Sequence, residues 1–458
     1  MKSAQFPNRR AASNVFRAAL VSLAVAVAPA TAQQVPTDRP LTVADCVNAA
    51  LGINPELKAS QYDLKAADAA VWAERSALLP KLTGSAQVFL LDGEPVTPFG
   101  IVGITEPELI ARNVDNKTGW LASLGVSYPL FQDGSILGIN NAPAIASARA
   151  ARQQQEWTRT LASENAIDIV TESYFNAVTA QSKAGLYERM AEVARQRVVI
   201  FQTKAQNELA LTQDVQIAEA RLRANEESLR SVRLRAQEGN AQLAQLLGVT
   251  GPAQLQLAGA PALPVIPPLD ELLAKVTAEH PSLGIQSSAV EKARQDVRLN
   301  KSRMLPAVRL AGSYSVGEDF TGQGPDLLTA AVVAEMPLFD FGHGWAALRE
   351  SKNRLRAEEA RVDLAQYDLR RSVLNVLSEL RDIEESCAGF EEQVLKLELE
   401  LRANKAKQAA GLVTPLAVVE AEVTLLQQKV LLQDARLKQW IKYAQLQKAA
   451  GGAWKWIP

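Results

Sequence analysis

The chain is short of the residues that chemistry usually needs. It has two cysteines, Cys46 and Cys387, and two histidines, His280 and His343. Two cysteines make no disulfide framework. Neither histidine belongs to a Cys/His/Asp cluster at metal-ligating spacing. No glycine-rich phosphate loop and no nucleophile elbow occurs. An enzyme is therefore not expected, and no catalytic, metal-binding or cofactor-binding residue is assigned. Net charge is only −1, with 49 basic and 50 acidic residues interspersed, so no nucleic-acid footprint is present. Aromatics make up only 5% of the chain. Beyond residue 32 no run of about 18 apolar residues occurs, which excludes a transmembrane helix.

Export is written at the start. Lys2, Arg9, Arg10 and Arg17 precede an apolar stretch from Ala18 to Ala28. Ala30-Thr31-Ala32 then supplies a small-x-small cleavage site, so residues 1–32 read as a signal peptide. An exported chain without a membrane helix can be soluble, secreted or a membrane β-barrel.

The rest of the sequence repeats one plan twice, over residues 33–262 and 263–458. Asn54-Pro55, Leu79-Pro80, Leu82-Thr83-Gly84-Ser85 and Pro129-Leu130-Phe131 punctuate the first copy. His280-Pro281, Leu305-Pro306, Leu310-Ala311-Gly312-Ser313 and Pro337-Leu338-Phe339 punctuate the second. Two long copies are too few for a solenoid, so they read as two halves of one body.

Each copy predicts a helix, two strands, a very long helix, a tip and a further helix. The helices are expected near 41–79, 136–203, 212–247, 269–304, 344–408 and 415–449. Apolar residues recur every seven positions through Leu348, Leu355, Val362, Leu369, Val376, Ile383, Phe390 and Leu397. A second row runs through Val373, Leu380, Cys387, Val394 and Leu401. Such seams pack helices knobs-into-holes, and Cys387 reads as a small core hydrophobe. At 1.5 Å per residue the helix near 344–408 is about 100 Å long. The shorter helices, placed end to end, match it, as a cylinder wall would require.

Between the helices lie four alternating segments of about nine residues, enough to cross a bilayer when tilted. In 120–128, Trp120, Ala122, Leu124, Val126 and Tyr128 fall on one face and Leu121, Ser123, Gly125 and Ser127 on the other. Aromatics at both ends of an apolar face suit a membrane strand with a polar lumen side. Residues 82–90, 308–316 and 328–336 alternate likewise, with Arg309 and Glu335 on the lumen side. Four strands cannot close a barrel, and an open edge in lipid leaves backbone groups unsatisfied. Several copies must therefore share one barrel.

With these features together, the chain resembles the TolC-like outer-membrane efflux proteins over essentially its whole length after residue 32. The resemblance rests on Leu41-Thr42-Val43-Ala44-Asp45, Asn54-Pro55-Glu56-Leu57, the Leu-Pro and Pro-Leu-Phe punctuation, and two tip segments. The tips are Leu209-Ala210-Leu211-Thr212-Gln213-Asp214-Val215 and Gly411-Leu412-Val413-Thr414-Pro415. It implies a mostly α fold in a homotrimer. A 12-stranded β-barrel, four strands per chain, would continue into a long α-helical periplasmic tunnel. It also implies a passive exit duct of a tripartite efflux pump or type I secretion system. Its partners would be outer-membrane lipid, a periplasmic adaptor and an inner-membrane transporter. Adaptor contact falls on Glu208, Leu209, Gly411, Leu412 and Thr414. Glu208 stands where the family has a glycine. The family's acidic aperture positions fall on Ala417, which loses one ring, and Glu420, with Asp214 a second gating candidate. The rival reading, a periplasmic coiled-coil scaffold or adaptor without a channel, does not account for the four strands.

Overall fold

In the computed structural model the described residues are 39–90, 118–137, 142–249, 255–318 and 326–451. The expected signal peptide and most of the loop after residue 90 lie outside them. Residues 35–458 form one unit. Its elements run α1 (Val43–Ile53), α2 (Pro55–Ser76), β1 (Lys81–Leu90), β2 (Thr118–Gln132), β3 (Ser135–Ile136), α3 (Pro143–Gln206) and α4 (Thr212–Leu246). They continue with α5 (Leu269–Glu279), α6 (Pro281–Ser302), β4 (Ala307–Glu318), β5 (Asp326–Glu335), α7 (His343–Ala409) and α8 (Pro415–Ala450). The duplication is metric: α1 and α5 each have 11 residues, and α2 and α6 each have 22.

Two predicted helices are each split in two. The helix expected over 41–79 breaks at Asn54-Pro55, and the one over 269–304 breaks at His280-Pro281. Proline lacks an N–H and pushes the residue before it out of the helical region. That residue becomes the N-cap of the next helix. Asn54 Oδ1 accepts the Glu56 N–H at 2.8 Å, and His280 Nδ1 accepts the Ser282 N–H at 3.1 Å. The long helix expected from residue 136 starts only at Pro143. The reason is that β2 runs on to Gln132 and then turns into β3.

α3 is the spine. Toward its start it meets α2 through Arg152–Asp68 (2.9 Å) and α6 through Ser147–Asp296 (2.7 Å). Toward its end it meets α4 through Arg195–Glu226 (2.8 Å) and α8 through Arg189–Glu422 (2.7 Å). α7 in turn packs on α6 and α8. The lateral order is therefore α2 and α4, then α3, then α6 and α8, then α7. Strand order β1-β2-β4-β5 follows the same sequence, every neighbouring pair antiparallel.

The core is a belt at mid-height. α1 seats Val43, Cys46, Val47 and Ala50 against Val170, Tyr174, Phe175 and Val178 of α3. The Tyr174 hydroxyl donates to the Leu41 and Gly259 carbonyls at 3.0 and 2.8 Å, and Trp440 stacks on Phe175. α5 repeats the plan, with Leu272 and Val276 against Val373, Leu377, Leu380 and Tyr443. Cys46 is fully enclosed, and burial pushes its thiol up to about 12. Cys387 is also a buried free thiol, raised by the same cause. Both act as packing groups.

Candidate functional site

The sheet is where a soluble reading fails. Its register places Ala122, Leu124, Val126 and Tyr128 of β2 opposite Val316, Tyr314, Gly312 and Leu310 of β4. Leu82 and Val88 of β1, and Leu328 and Val332 of β5, join the same face. The predicted alternation thus converges across all four strands. Among the described residues no helix forms a layer on this sheet. Leu82, Val88, Trp120, Leu124, Val126, Leu310, Tyr314, Leu328 and Val332 are all exposed. A contiguous apolar face of that size cannot stand in water and needs hydrocarbon or a partner.

The opposite face is hydroxyl-rich and cross-linked. Ser85 and Ser123 hydroxyls lie 2.7 Å apart, as do those of Ser313 and Thr329. Arg309 donates to Glu335 at 2.9 Å across β4 and β5. Both side chains are more than half exposed, so the pair contributes under about 1 kcal/mol to stability.

The tips lie at the other end of the helices. In both, the chain leaves a long helix through a Schellman turn. At the second tip, Gly411 N–H donates to Gln408 O (2.9 Å) and Leu412 N–H to Lys407 O (2.8 Å). At the first, Glu208 N–H donates to Ala205 O (3.1 Å) and Leu209 N–H to Lys204 O (2.8 Å). Glu208 stands at φ 55° where Gly411 stands at φ 74°. Losing the glycine has left the turn geometry unchanged, at a cost of roughly 1–2 kcal/mol of backbone strain. The turns display Leu209 and Leu412 at 76% and 75% exposure. Thr414 is the N-cap of α8.

Asp214 and Glu420 have local partners. The Asp214 carboxylate accepts the Leu211 N–H at 3.1 Å and caps α4. Glu420 lies 3.5 Å from Arg197 of α3, whose guanidinium sits over the Phe201 ring. The sequence reading overlooked Arg197. A cation every helical turn in α3 is common, and only the fold shows which one faces α8.

A length-spanning helical wall, an unsupported apolar sheet at one end and paired turns at the other now stand together. The family model for outer membrane efflux proteins matches residues 46–249 and 272–452. The chain belongs to that family. The outer membrane efflux protein BepC of Brucella suis biovar 1 (strain 1330) is 26% identical over 167 residues. That stretch spans 35% of this chain and 36% of the relative's length. Among solved structures, the CmeC outer membrane channel of Campylobacter jejuni gives a TM-score of 0.73 at 16% identity. It covers 90% of this chain and 86% of its own. VceC, an outer membrane protein of Vibrio cholerae, gives 0.69 at 18%, covering 90% and 96%. The open state of the MtrE outer membrane channel of Neisseria gonorrhoeae gives 0.69 at 20%, covering 91% and 90%. At such identities the likeness establishes the fold. For this member of the family, the apolar sheet lies in the outer membrane and the helices extend into the periplasm.

Proposed function

We propose that three copies close into one ring, a 12-stranded barrel over a helical tunnel, which serves as a passive exit duct. The observation that carries this is the pair of free sheet edges. β1 pairs only with β2 and β5 only with β4 among the described residues. In hydrocarbon their outer N–H and C=O groups have no water to bond, so β5 of one copy must meet β1 of the next. The helices support the same closure. α7 carries a second heptad stripe, in the phase of Leu364, Tyr367, Leu374, Leu395 and Leu399, all exposed. The opposite lateral edge carries an exposed row at the same spacing, with Ala59, Tyr62, Ala66, Ala69 and Ala73 on α2 and Ile217, Ala220, Ala224 and Leu234 on α4. Knobs on one edge can seat between the alanines of the other, with Tyr62, Ile217 and Leu234 adding apolar surface.

In this reading Arg309–Glu335 recurs around the lumen and Glu420 forms a ring near the aperture. Asp214 and Glu420 take part in gating. Glu208, Leu209, Gly411, Leu412 and Thr414 present the docking surface for a periplasmic adaptor, through which an inner-membrane transporter feeds the duct. The assembly serves a tripartite efflux pump or a type I secretion system. The test is the native mass of the detergent-extracted protein from the outer-membrane fraction. A trimer released only by detergent is the expected result. A monomer, or a protein washed off membranes by carbonate, sinks the proposal.

A further inference from the structure

The α6–α7 pair, just below β4 and β5, has two sides that differ in how their cations are paired. On one side a groove is lined by Lys292, Arg303, Arg354 and Arg361. Every one of these cations has a carboxylate: Asp296 (3.0 Å), Asp133 (3.9 Å), Glu350 (2.5 Å) and Glu358 respectively. That side is neutralised. The other side is marked by a second hollow lined by Glu291 and Arg294 of α6, which pair at 2.8 Å, and by Glu359, Val362 and Asp363 of α7.

In phase with that hollow, going toward the sheet, lie Arg298 and Lys301 on α6 and Arg356, Lys352, Arg349 and Trp345 on α7. The spacings of three and four residues keep them on one helical face. Among the described residues none of Arg298, Lys301, Arg349, Lys352 and Arg356 has a carboxylate within ion-pair distance. The corresponding level of the first copy carries Arg75, Arg149 and Arg152, and there Arg152 is paired with Asp68 and Glu156. Five uncompensated cations side by side repel one another and cost stability unless an external anion meets them.

A second observation fixes the anion's setting. The turn from β5 into α7 exposes Leu338, Phe339, Phe341 at 91% and Trp345 at 69%. The first copy's equivalents, Leu130 and Phe131, are half-buried. Aromatics at the end of a membrane strand, with lysines and arginines one to three turns below, match the boundary between hydrocarbon and headgroups. Trp345 and Arg356 are 11 residues apart, about 16 Å along the helix. The headgroup zone is roughly 5–7 Å deep on each side of the hydrocarbon. Arg349 lies about 6 Å below Trp345, inside that zone, and Lys352, about 10 Å below, reaches it by extending its side chain toward the membrane, whereas Arg356, at about 16 Å, lies beyond it.

We infer that this face of α6–α7 is an anionic-phospholipid binding surface, holding the headgroup phosphates of the periplasm-facing leaflet. The inference rests on the sheet's place in the outer membrane. Arg298 and Lys301 do not need the ring, because α6 lies inside the protomer wall, whereas Arg349 and Lys352 stand on α7 beside the edge that the ring would join.

The test is native mass spectrometry of the full mature protein, extracted in detergent and titrated with phosphatidylglycerol or phosphatidylcholine. The wild type is expected to retain phosphatidylglycerol preferentially. A quadruple variant, Arg298→Gln, Lys301→Gln, Arg349→Gln and Lys352→Gln, is expected to lower that retention about tenfold or more, without changing phosphatidylcholine retention. The double variant Lys292→Gln and Arg354→Gln, on the neutralised side, is expected to leave both unchanged. Should the quadruple variant fail to fold, the single variants Lys301→Gln and Lys352→Gln each carry the test, with a few-fold loss expected. Phosphatidylglycerol retention equal to wild type overturns the inference, as does an equal loss of both lipids. An altered charge selectivity of single channels with unaltered lipid retention also overturns it, by assigning the face to the tunnel lining. The same spectrum reports oligomer mass. A monomer that still prefers phosphatidylglycerol counts against the ring and leaves the lipid face standing.

Discussion

Glu208 and Gly411 pose one problem with two solutions. Both occupy the left-handed position that ends a long helix. Glycine takes it freely, while glutamate pays a steric cost at Cβ. Glu208→Gly should therefore tighten the first tip, and Gly411→Ala should loosen the second. Nothing lies within 4 Å of the added Gly411 Cβ, so the penalty is conformational alone. Amide exchange at Leu209 and Leu412 measures both, with changes of about fivefold expected from roughly 1 kcal/mol. His280 gives a pH-dependent case. Burial lowers its basicity below the usual 6.5, against a hydrogen bond to the Lys448 backbone that raises it, and protonation at Nδ1 would also remove the acceptor of the Ser282 N–H. The unfolded chain then binds the proton more readily than the folded one. This contribution is complete above about 6.5 and is lost as pH falls below that toward the lowered folded value. Exchange at the start of α6 should rise on acidification through that window, and His280→Asn, which keeps a capping acceptor, should abolish the pH response. An unchanged slope in that variant would place the titration elsewhere.

At the scale of elements, much was legible before any coordinates. Alternation at period two found all four strands, and their register carried the predicted faces onto one another. The heptad rows on α7 located its seams, but unequally. Val373, Leu380, Cys387, Val394 and Leu401 are buried, whereas Leu355, Val362, Leu369 and Val376 are only half-buried. The stripe through Leu364, Tyr367, Leu374, Leu395 and Leu399 escaped notice. It is interrupted by Arg371, Arg381 and Glu385, and a search for one seam stops at the stronger one. The breaks at Pro55 and Pro281 were present as punctuation, yet helical periodicity runs through both prolines. Periodicity reports a face, not continuity. The overlooked stripe predicts that Leu395→Glu with Leu399→Glu leaves far-UV helicity intact and yields monomers in detergent. Leu380→Ala, at a core position, should instead lower stability by about 2–4 kcal/mol with oligomer size preserved. Sedimentation and thermal melts separate the two.

At the scale of the molecule, the two copies are fused rather than adjacent. Trp440 of the second copy stacks on Phe175 of the first, and Lys183–Asp434 and Lys448–Asp168 tie α8 to α3. Sequence reading found the duplication because its prolines and Leu-Phe pairs sit at turns whose geometry few other residues satisfy. It could not find these ties, since contacts between residues about 250 positions apart leave no periodic trace.

The two lateral edges of the wall are built from different elements, α7 on one side and α2 with α4 on the other. In a three-copy ring, a subunit damaged only along α7 still has a sound α2–α4 edge. It is accepted by its neighbour and leaves one unsealed junction. Such an allele acts dominantly. If damaged and sound copies are made in equal amounts and mix freely, only about one ring in eight holds sound subunits alone.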